Sequence, residues 1–554
     1  MTLFRPGAAY ILFRFSAFPP VYRAHSHEAV AQTDYTDTPQ YPEIMDTSRK
    51  AVKMRKKAEW HEKIECLPTV EQKMMELNMP KYYGYWSCHL NDVRPTLLGV
   101  DFVQYATRSH VVKGLPGQYY TQVEAQADIL TPKIQDKIQH LIDLNFNCKL
   151  NRKNFASDLA AERHRIKNFL LGLHRVMVSS LESSVQHIKE SMVDVQPRVE
   201  AFWILGGIPP DKMLRKIRRN YKLTKDTEHD LMDRPVQGKS TPCLGVRVTN
   251  GLPEVVGRDD PLATSSFEPK SILDPRSYGF RFSHKHAVTV PGFWQGGTKE
   301  HSQLWLHSRE MVHRFTQIFG AHHLDTASLQ KILVSSFTQA LALATHLGFG
   351  PVTELTYPLV QQSVLTDGQR WQFSVYQLNT CSLHSDRAIS NPHNNILWLG
   401  EEQTLFEAVD DTGVKGFNPE VLKTLISLYL KKGVERENPT PYIGPCKHLG
   451  NHPASEEYRE AFHQYLHCLF SGRPRNLLKP EMYLWEKIYK VDFKTRPFEP
   501  PRRFFEDHYN KKDPGCRRLD DYSPIYIPKA LRNTKVKQFR YKPKLDSEHL
   551  FKYD

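Results

Sequence analysis

The sequence predicts an α/β fold of the α+β kind. Helices pack on a mixed or antiparallel sheet core, and long extended basic segments precede and follow it. Three neighbouring elements carry this prediction: a helical pattern over about 326–346, two β-rich runs at 359–366 and 369–379, and a helical pattern that begins at Asn418. A helix, a hairpin and a second helix in succession are typical of a domain whose helices cover a sheet.

The two β-rich runs are joined by Asp367-Gly368. This dipeptide favours a type I′ turn, which needs positive φ at both central residues. Along the second run, Trp371, Phe373 and Val375 alternate with other residues, so we expect them on one face of the sheet. Both faces are partly apolar. The second face is therefore covered either by the chain's own helices or by a partner protein.

Capping residues define the two helices. In the first helix Asp325 is the expected N-cap, and Gly348 lies just past the end. In the second helix Asn418 is the expected N-cap, Pro419 fits the first turn, and the C-terminal end carries Lys431, Lys432 and Gly433. The uncharged run 332–353 contains Ser, Thr, Gln and His, which indicates a buried core helix rather than a membrane span.

The rest of the core combines helical and extended patterns. Residues 121–190 are mainly helical, with an apolar stripe made of Ile129, Ile134, Ile138, Leu141, Ile142 and Leu144. Residues 198–210 predict a short buried strand that ends in a Gly-Gly-Ile-Pro-Pro turn. Residues 226–300 are rich in Pro, Gly, Ser and Asp, which predicts loops with short strands. The α/β core is therefore expected at 121–433.

The first 30 residues carry Arg5, Arg14 and Arg23 among apolar and small residues, and the first acidic residue is Glu28. Arginines without acids in such a stretch are typical of a mitochondrial transit peptide. A secretory signal is the alternative, but Arg14 interrupts the apolar run that it requires. The sequence therefore predicts import into the mitochondrial matrix, and an extended basic segment over 31–120 follows the transit peptide.

Basic residues cluster at three places in a chain whose formal charge is +14 and whose pI is about 9.2. Lys and Arg release counterions from phosphates on binding, so such clusters favour RNA. The predicted RNA-contact residues are Arg55, Lys56, Lys57, Arg215, Lys216, Arg218, Arg219, Lys535, Lys537 and Arg540. The last three lie in a segment, 434–554, that is expected to hold a linker, a short helical region and a basic tail. A solvated helix face or a solubilising tail is the alternative for each cluster.

The sequence shows no motif for catalysis. It contains no phosphate-binding Gly-Lys-Ser/Thr loop, no G-x-G-x-x-G, no His-Glu-x-x-His and no G-x-S-x-G. Asp410-Asp411 fits a polar turn better than an acid/base pair. The cysteines form no Cys-x-x-Cys knuckle, which indicates reduced thiols. We therefore predict no catalytic residue, no cofactor and no small-molecule substrate. Zinc stays an alternative for one set with unusual spacing: Cys446, His448, His452, His463, His467 and Cys468.

Two blocks of the sequence resemble a known family. The first lies in 364–380 and contains VLTDG, Phe373 and YQLNT; the second lies in 391–418 and contains NP, NILW, LFE, DD and VKGFN. Together they are similar to the mitochondrial ribosomal proteins formerly called small-subunit protein thirty, or programmed cell death protein nine. That family is now assigned to the large subunit. Its paralogue, mitochondrial large-subunit protein thirty-seven, shares the first block.

The resemblance implies a non-catalytic structural constituent of the mitochondrial large ribosomal subunit. Its expected partners are the large-subunit rRNA, the paralogous large-subunit protein and other mitoribosomal proteins. The residues themselves leave two other functions open. One is a mitochondrial RNA-processing or RNA-modifying enzyme, which would share import and basic charge. The other is a metal-binding interaction module at 446–468.

Overall fold

The computed structural model describes residues 45–48, individual residues between 51 and 66, and then 85–147, 155, 157–182, 185–220, 228–265, 272–285, 288–293, 299–347, 349–350, 355–384, 387–410 and 413–436. The chain divides into two units, Met1–Trp60 and His61–Asp554. The predicted transit peptide at 1–30, the zinc alternative at 446–468 and the basic tail lie outside the described residues.

In the first unit, Asp46 and Ser48 begin a short helical stretch. Ser48 N donates to Asp46 Oδ1 over 2.7 Å, and Ala51 N donates to Ser48 Oγ over 3.2 Å. Val52 N then donates to Ser48 O over 2.9 Å, as in a helical turn. Ser48 therefore caps the stretch on which the predicted RNA-contact residue Arg55 lies.

The elements of the second unit follow in chain order. Its helices are α1 (Gly99–Thr107), α2 (Gly117–Phe146), α3 (Asp158–Leu181), α4 (Gln186–Lys189), α5 (Lys212–Asn220), α6 (Pro261–Thr264), α7 (Glu310–Phe319), α8 (Leu324–His346), α9 (Arg387–Ser390) and α10 (Pro419–Leu430). Its strands are β1 (Tyr85–Asn91), β2 (Ser109–Lys113), β3 (Met192–Val195), β4 (Val199–Ile208), β5 (Met232–Ser240), β6 (Leu244–Val248), β7 (Arg281–Lys285), β8 (His301–Ser308), β9 (Leu359–Thr366), β10 (Arg370–Leu378), β11 (Asn395–Leu399), β12 (Gln403–Thr404), β13 (Ala408–Asp410) and β14 (Gly413–Lys415).

The larger sheet has the strand order β2-β11-β10-β9-β8-β6-β3, and β12 pairs with β10 beside this path. The pairs β2–β11 and β8–β9 are parallel, and the other pairs are antiparallel. Strands β9 and β10 form the predicted hairpin, in which Thr366 lies opposite Trp371 and Leu359 opposite Leu378. The sheet is therefore mixed and packed with helices, which confirms the predicted fold class.

The smaller sheet has the order β4-β5-β1-β7, with β1 and β5 parallel. Strand β1 lies within the segment 31–120, which the sequence placed outside the core, and so do α1 and β2. Cys88 of β1 pairs with Val236 of β5. The core therefore begins at β1 and not at residue 121, because partners distant in sequence bring these elements into the sheets.

Helix α8 is the centre of the molecule. It packs on β1, β4 and β5 of the smaller sheet and on β9 and β10 of the larger one. Every residue from Gln330 to His346 is buried, as expected for a helix that is covered all round. This confirms the predicted buried core helix. None of the helices in the described part of the chain combines the length and the apolar composition that a membrane crossing requires.

Helices α2, α3 and α10 cover the opposite face of the larger sheet. Trp371, Phe373 and Val375 share a hydrophobic cluster there with Ile138 of α2 and Phe169 of α3. Each fully buried large side chain stabilises the fold by ~2–3 kcal/mol. The layers thus run from α2, α3 and α10 through the larger sheet and α8 to the smaller sheet. The chain's own helices cover both faces of the hairpin, so the alternative of a partner on a hairpin face does not hold.

The hairpin turn differs from the prediction. Gly368 has φ +97°, but Asp367 is not among the residues with positive φ, so the turn is not of type I′. Instead, Asp367 Oδ1 accepts hydrogen bonds from Gln369 N (3.0 Å) and Arg370 N (2.7 Å). A side-chain acceptor of this kind replaces the backbone geometry that the dipeptide alone suggested.

Two helix ends also differ. Helix α8 starts after His323, so Asp325 lies in the first turn and is not the N-cap; there it complements the helix dipole. Helix α10 starts at Asn418 as predicted, and its side chain accepts from Glu420 N. At the other end Lys431 is buried and donates to Tyr119 O over 2.5 Å. It does not face solvent beside the helix end, because the Tyr119 carbonyl and ring receive its ammonium group.

The apolar stripe of α2 is narrower than predicted. Ile134, Ile138 and Ile142 are buried, whereas Ile129 and Leu144 are 63% and 57% exposed. Residues four apart stay on one helix face, while Ile129 and Leu144 lie out of that register. The packed face of α2 also includes Ala127, Leu130 and Thr131, which are buried, and Leu141, which is partly buried against the hydrophobic cluster.

Candidate nucleic-acid interface

Helix α5 carries the densest basic cluster in the described part of the core. It follows Pro209 and Pro210, and Asp211 Oδ1 accepts a hydrogen bond from Leu214 N over 2.7 Å. A carboxylate at this position satisfies an N–H that a helix start leaves without a partner. The cap fixes the start of the helix and thereby the direction in which its cations project.

Two of the four predicted cations of α5 are engaged within the chain. Arg218 Nη1 donates to Asp230 O over 2.7 Å. Arg219 Nε donates to both carboxylate oxygens of Glu228, over 2.9 and 3.0 Å. The hydrogen bonds from Arg219 hold the pKa of the Glu228 carboxyl below its ordinary value, against an opposing effect of burial. These two arginines therefore bind the segment at 228–230, which follows the helix.

Arg215 and Lys216 lie one turn earlier on α5 and are exposed. Both cations keep the freedom to meet an external anion, because their side chains form no ion pair within the described residues. The structure thus divides the predicted cluster into an outer pair, Arg215 and Lys216, and an inner pair, Arg218 and Arg219. The density of basic residues in the sequence does not reveal this division.

A network of charges supports the start of α5. Arg234 lies 3.0 Å from Asp274 and 4.0 Å from Asp211, and Arg276 lies 3.7 Å from Asp211. The guanidinium of Arg276 also lies 5.0 Å from the centroid of the Phe282 ring. Arg234 of β5 is mostly buried, so its contact with Asp211 ties the helix start to the smaller sheet. These ion pairs therefore hold the helix that carries the outer cations in a defined position.

Of the remaining predicted site residues, the structure describes one, Arg55. Arg55 belongs to the first unit, where its Nη2 donates to Asp46 O over 2.8 Å. The others, Lys56, Lys57, Lys535, Lys537 and Arg540, lie outside the described residues, as do the histidines and cysteines of the zinc alternative. Among the residues that are described, no group of three His, Cys, Asp or Glu side chains has the arrangement to hold a metal ion.

The polar residues of the family-like blocks form hydrogen bonds in the interior of the fold. Gln377 accepts from Val255 N and donates to Val256 O, over 2.9 and 2.8 Å. Asn395 accepts from Asn379 N and donates to Thr107 O, over 2.8 and 2.9 Å. These amides join the ends of β10, β11 and α1 to the loop after β6. Gln377 and Asn395 of the family-like blocks are therefore buried hydrogen-bonding residues and do not form an exposed surface.

A second buried polar group was missed by sequence reasoning. Asp92, at the end of β1, accepts hydrogen bonds from Thr241 N (2.7 Å) and Ser335 Oγ (3.1 Å), and it lies 3.7 Å from Lys331 Nζ. Nearby, burial lowers the pKa of His307 to about 3, and Lys331 acts in the same direction. His307 is therefore neutral and bonded to Gln339. These groups lie between layers, where they join α8 to both sheets.

Comparison with known families identifies the chain's relationships. A family profile described as mitochondrial 28S ribosomal protein S30 (PDCD9) matches residues 11–433. This range includes the α5 surface, both sheets and all the blocks that carried the resemblance.

Individual relatives carry a different name. The chain is 27% identical over 235 residues to the large ribosomal subunit protein mL37 of Gallus gallus, a match that covers 40% of this chain and 52% of the relative. It is 28% identical over 240 residues to the protein of the same name from Rattus norvegicus, covering 41% and 54%. Over 127 residues it is 34% identical to the Bos taurus protein, covering 21% and 29%. The chain thus spans about half the length of the chicken and rat relatives, and less of the bovine one.

Proposed function

Since the chain belongs to the family described as mitochondrial 28S ribosomal protein S30 (PDCD9), we propose that it is a non-catalytic structural constituent of the large subunit of the mitochondrial ribosome. Family membership makes it a mitochondrial ribosomal protein and places it in the mitochondrion. The proposal adds the subunit, the structural role and contact with rRNA and neighbouring ribosomal proteins. The observation that carries it is the match over 11–433, which takes in almost the whole described fold.

The assignment to the large subunit rests on the relatives. The family description names the 28S subunit, whereas the similar proteins from chicken, rat and cattle are named as large-subunit proteins. We therefore infer that this chain shares their subunit.

Contact with rRNA is supported by the outer cations of α5. Arg215 and Lys216 are exposed on a helix whose start and end are held by Asp211, Glu228 and Asp230. Because the helix backbone is already held, it needs no further ordering when its cations meet phosphates, and the contact gains from counterion release. A helix of this kind positions a protein on an RNA backbone without reading its bases.

Sedimentation tests the subunit. A tagged full-length chain in mitochondrial lysate is spun through a gradient at low magnesium, which separates the two ribosomal subunits. We expect the chain in the large-subunit fractions. Recovery with the small subunit would contradict the subunit, and recovery only at the top of the gradient would contradict the ribosomal role.

Crosslinking tests the RNA contact. Assembled mitoribosomes are irradiated with ultraviolet light, and RNA-linked peptides of this chain are identified by mass spectrometry. We expect linked peptides that overlap 212–220. The exposed helix residues Lys133 of α2 and Arg175 of α3 serve as the comparison surface. Links confined to that surface, with none at α5, would show that the RNA face is elsewhere.

A further inference from the structure

The short 3₁₀ turn Pro275–Tyr278 holds an arginine beside the start of α5. Asp274 caps this turn, because its Oδ1 accepts a hydrogen bond from Arg276 N over 3.0 Å. Pro275 is buried, and the Tyr278 ring stacks on Phe102 of α1 with 5.5 Å between the ring centroids. Both ends of the turn are therefore fixed in the fold, and Arg276 between them is exposed.

The guanidinium group of Arg276 is held on one face and along its edges. Its Cζ lies over the Phe282 ring, 5.0 Å from the ring centroid. Its Nη1 lies 3.7 Å from Asp211 Oδ2, and its Nε lies 3.8 Å from Asp274 Oδ1. Even so, 51% of the side chain is exposed. In the described part of the chain, the face of the guanidinium that is turned away from Phe282 is therefore open to solvent.

A planar cation with one open face is suited to stacking with an unpaired nucleobase. The bases of single-stranded RNA stack on arginine planes and on aromatic rings, whereas a base inside a duplex is covered by its neighbours. The ring of Phe282 and the carboxylates of Asp211 and Asp274 already restrain the Arg276 guanidinium. Stacking therefore costs less side-chain entropy here than on an arginine without such contacts.

A cation that can meet a phosphate lies close to this guanidinium. Arg215 N donates to Asp211 O over 2.9 Å, so Arg215 follows Asp211 by one helical turn. Residues at this spacing have their Cβ atoms roughly 5–6 Å apart. Asp211 thus contacts Arg276, while the exposed Arg215 lies one turn further along α5. A nucleotide carries a planar base and an anionic phosphate together, whereas an aromatic side chain of a neighbouring protein offers only the planar group.

We propose that the α5 surface binds an unpaired nucleotide of RNA, with its base stacked on Arg276 and its phosphate against Arg215. The proposal rests on the proposed contact with rRNA and adds the kind of RNA that is bound. That RNA is a single-stranded segment, such as a loop or a bulge, and not a regular helix. Stacking accepts every base, so the site selects an unpaired base without selecting its identity.

Arg276→Lys separates stacking from charge. Lysine keeps the positive charge but lacks the planar group. Binding of the purified full-length chain is measured for a single-stranded RNA oligonucleotide of mixed sequence, for the same sequence in a duplex, and for an abasic ribose-phosphate chain of the same length. We expect Arg276→Lys to bind the single strand roughly five- to tenfold more weakly than wild type, near the lower end of the range for one stacked base. Its affinities for the duplex and for the abasic chain should be unchanged.

Two controls assign the loss to stacking. Arg175→Lys on α3 makes the same change at another exposed position and should alter none of the three affinities. Arg276→Lys should also leave the salt dependence of single-strand binding unchanged, because the number of cations is the same. An unchanged affinity of Arg276→Lys for the single strand would overturn the proposal. So would an equal loss for the single strand and the abasic chain, which a phosphate contact or a folding defect would produce.

A photoreactive amino acid in place of Ser277, which is exposed next to Arg276, identifies the occupant in assembled mitoribosomes. We expect it to link to RNA, at a nucleotide that is unpaired. A link to a neighbouring protein alone, or to a base-paired nucleotide, would refute the proposal. The proposed function fails separately, if the wild-type chain does not sediment with ribosomes, and that result does not depend on Arg276.

Discussion

At the scale of single residues, Gly368 is the position at which the hairpin is most sensitive. Its φ of +97° is a conformation that L side chains rarely adopt, and a Cβ at this position would overlap the Phe146 ring of α2. The glycine therefore allows the turn to form and the neighbouring helix to approach it. Because α2 packs on the hydrophobic cluster around Trp371, a side chain at position 368 that displaced Phe146 would also disturb the core.

We predict that Gly368→Val destabilises the fold by about 3 kcal/mol, because it combines backbone strain with overpacking. Gly413→Val is the matched control, since Gly413 has φ +115° but open space around its Cβ position. Gly413→Val should be destabilised only by the backbone strain, by about 1 kcal/mol. Chemical denaturation of both variants measures the difference. Equal destabilisation would show that the Phe146 contact contributes nothing.

Asp367 connects the same turn to α7. Its Oδ2 lies 2.8 Å from His313 Nε2. Burial alone would raise the pKa of the Asp367 carboxyl, but hydrogen bonds from His313 and from the Arg370 backbone outweigh it, and the net pKa is lowered. A carboxyl whose folded pKa lies below its unfolded value, near 3.8, stabilises the fold above that value. The contribution is lost as the pH falls through the folded pKa.

We therefore predict that Asp367→Asn lowers the free energy of unfolding at neutral pH by about 2 kcal/mol. The loss should shrink as the pH is lowered through the acid range below 4, because the wild-type carboxyl then becomes protonated too. Asparagine retains the Oδ1 acceptor for the turn, so the variant tests the charge. Denaturant titrations at pH 7 and at a series of pH values that descends through the acid range below 4 compare the two proteins, and a difference that does not shrink along the series would contradict this account.

At the scale of elements, helix α8 is held by polar contacts as well as by apolar packing. Lys331 and Asp92 are both buried, at 2% and 1% exposure, and join α8 to the end of β1. A buried pair of this kind adds little net stability when intact, but removing one partner leaves a buried charge without compensation. The pair therefore specifies how α8 sits on the smaller sheet.

We predict that Lys331→Met destabilises the fold by about 3–4 kcal/mol. The double variant Lys331→Met with Asp92→Asn should recover part of this loss, because no unpaired carboxylate then remains inside. A double-mutant cycle by chemical denaturation measures the coupling between the two residues. If the two single losses simply add, the groups do not interact and the argument from charge is wrong.

The elements that were predictable are those whose signals are local. The β9–β10 hairpin, the start of α10 at Asn418 and the buried character of α8 follow from alternation, capping and composition. Strand β1 was missed as part of the core because its partners, β5 and β7, lie far away in the sequence. The turn at Asp367 was assigned the wrong type because its side chain, and not the dipeptide preference, sets the geometry.

The basic site was predictable only in part for a similar reason. The density of cations on α5 is visible in the sequence, but their division is not. Glu228 and Asp230 engage Arg219 and Arg218 after the helix has ended, which depends on the path of the chain.

At the scale of the whole molecule, charge is distributed according to the layers. Several interior charged groups are paired: Lys331 with Asp92 between the sheets, Arg309 with Glu402 near the hairpin turn, and Arg247 with Asp194 at the far edge of the larger sheet. Buried Lys431 and Arg108 instead donate to backbone carbonyls. The outer cations of α5 are exposed beside the smaller sheet. A fold that satisfies its interior charged groups within itself, while it presents cations on an exposed helix, is suited to a polyanion surface.

The salt dependence of RNA binding tests this distribution. Each cation that meets a phosphate contributes to the slope of the logarithm of affinity against the logarithm of salt concentration. We predict that Arg215→Gln with Lys216→Gln weakens binding of the purified chain to large-subunit rRNA and reduces that slope by about 2, roughly one for each cation removed. The control, Lys133→Gln with Arg175→Gln, removes the same charge from exposed positions on α2 and α3 and should leave the slope unchanged. Unfolding curves should be unchanged for both, since Arg218, Arg219 and the Asp211 cap are kept. Equal shifts for both double variants would mean that net charge, and not the α5 surface, governs the association.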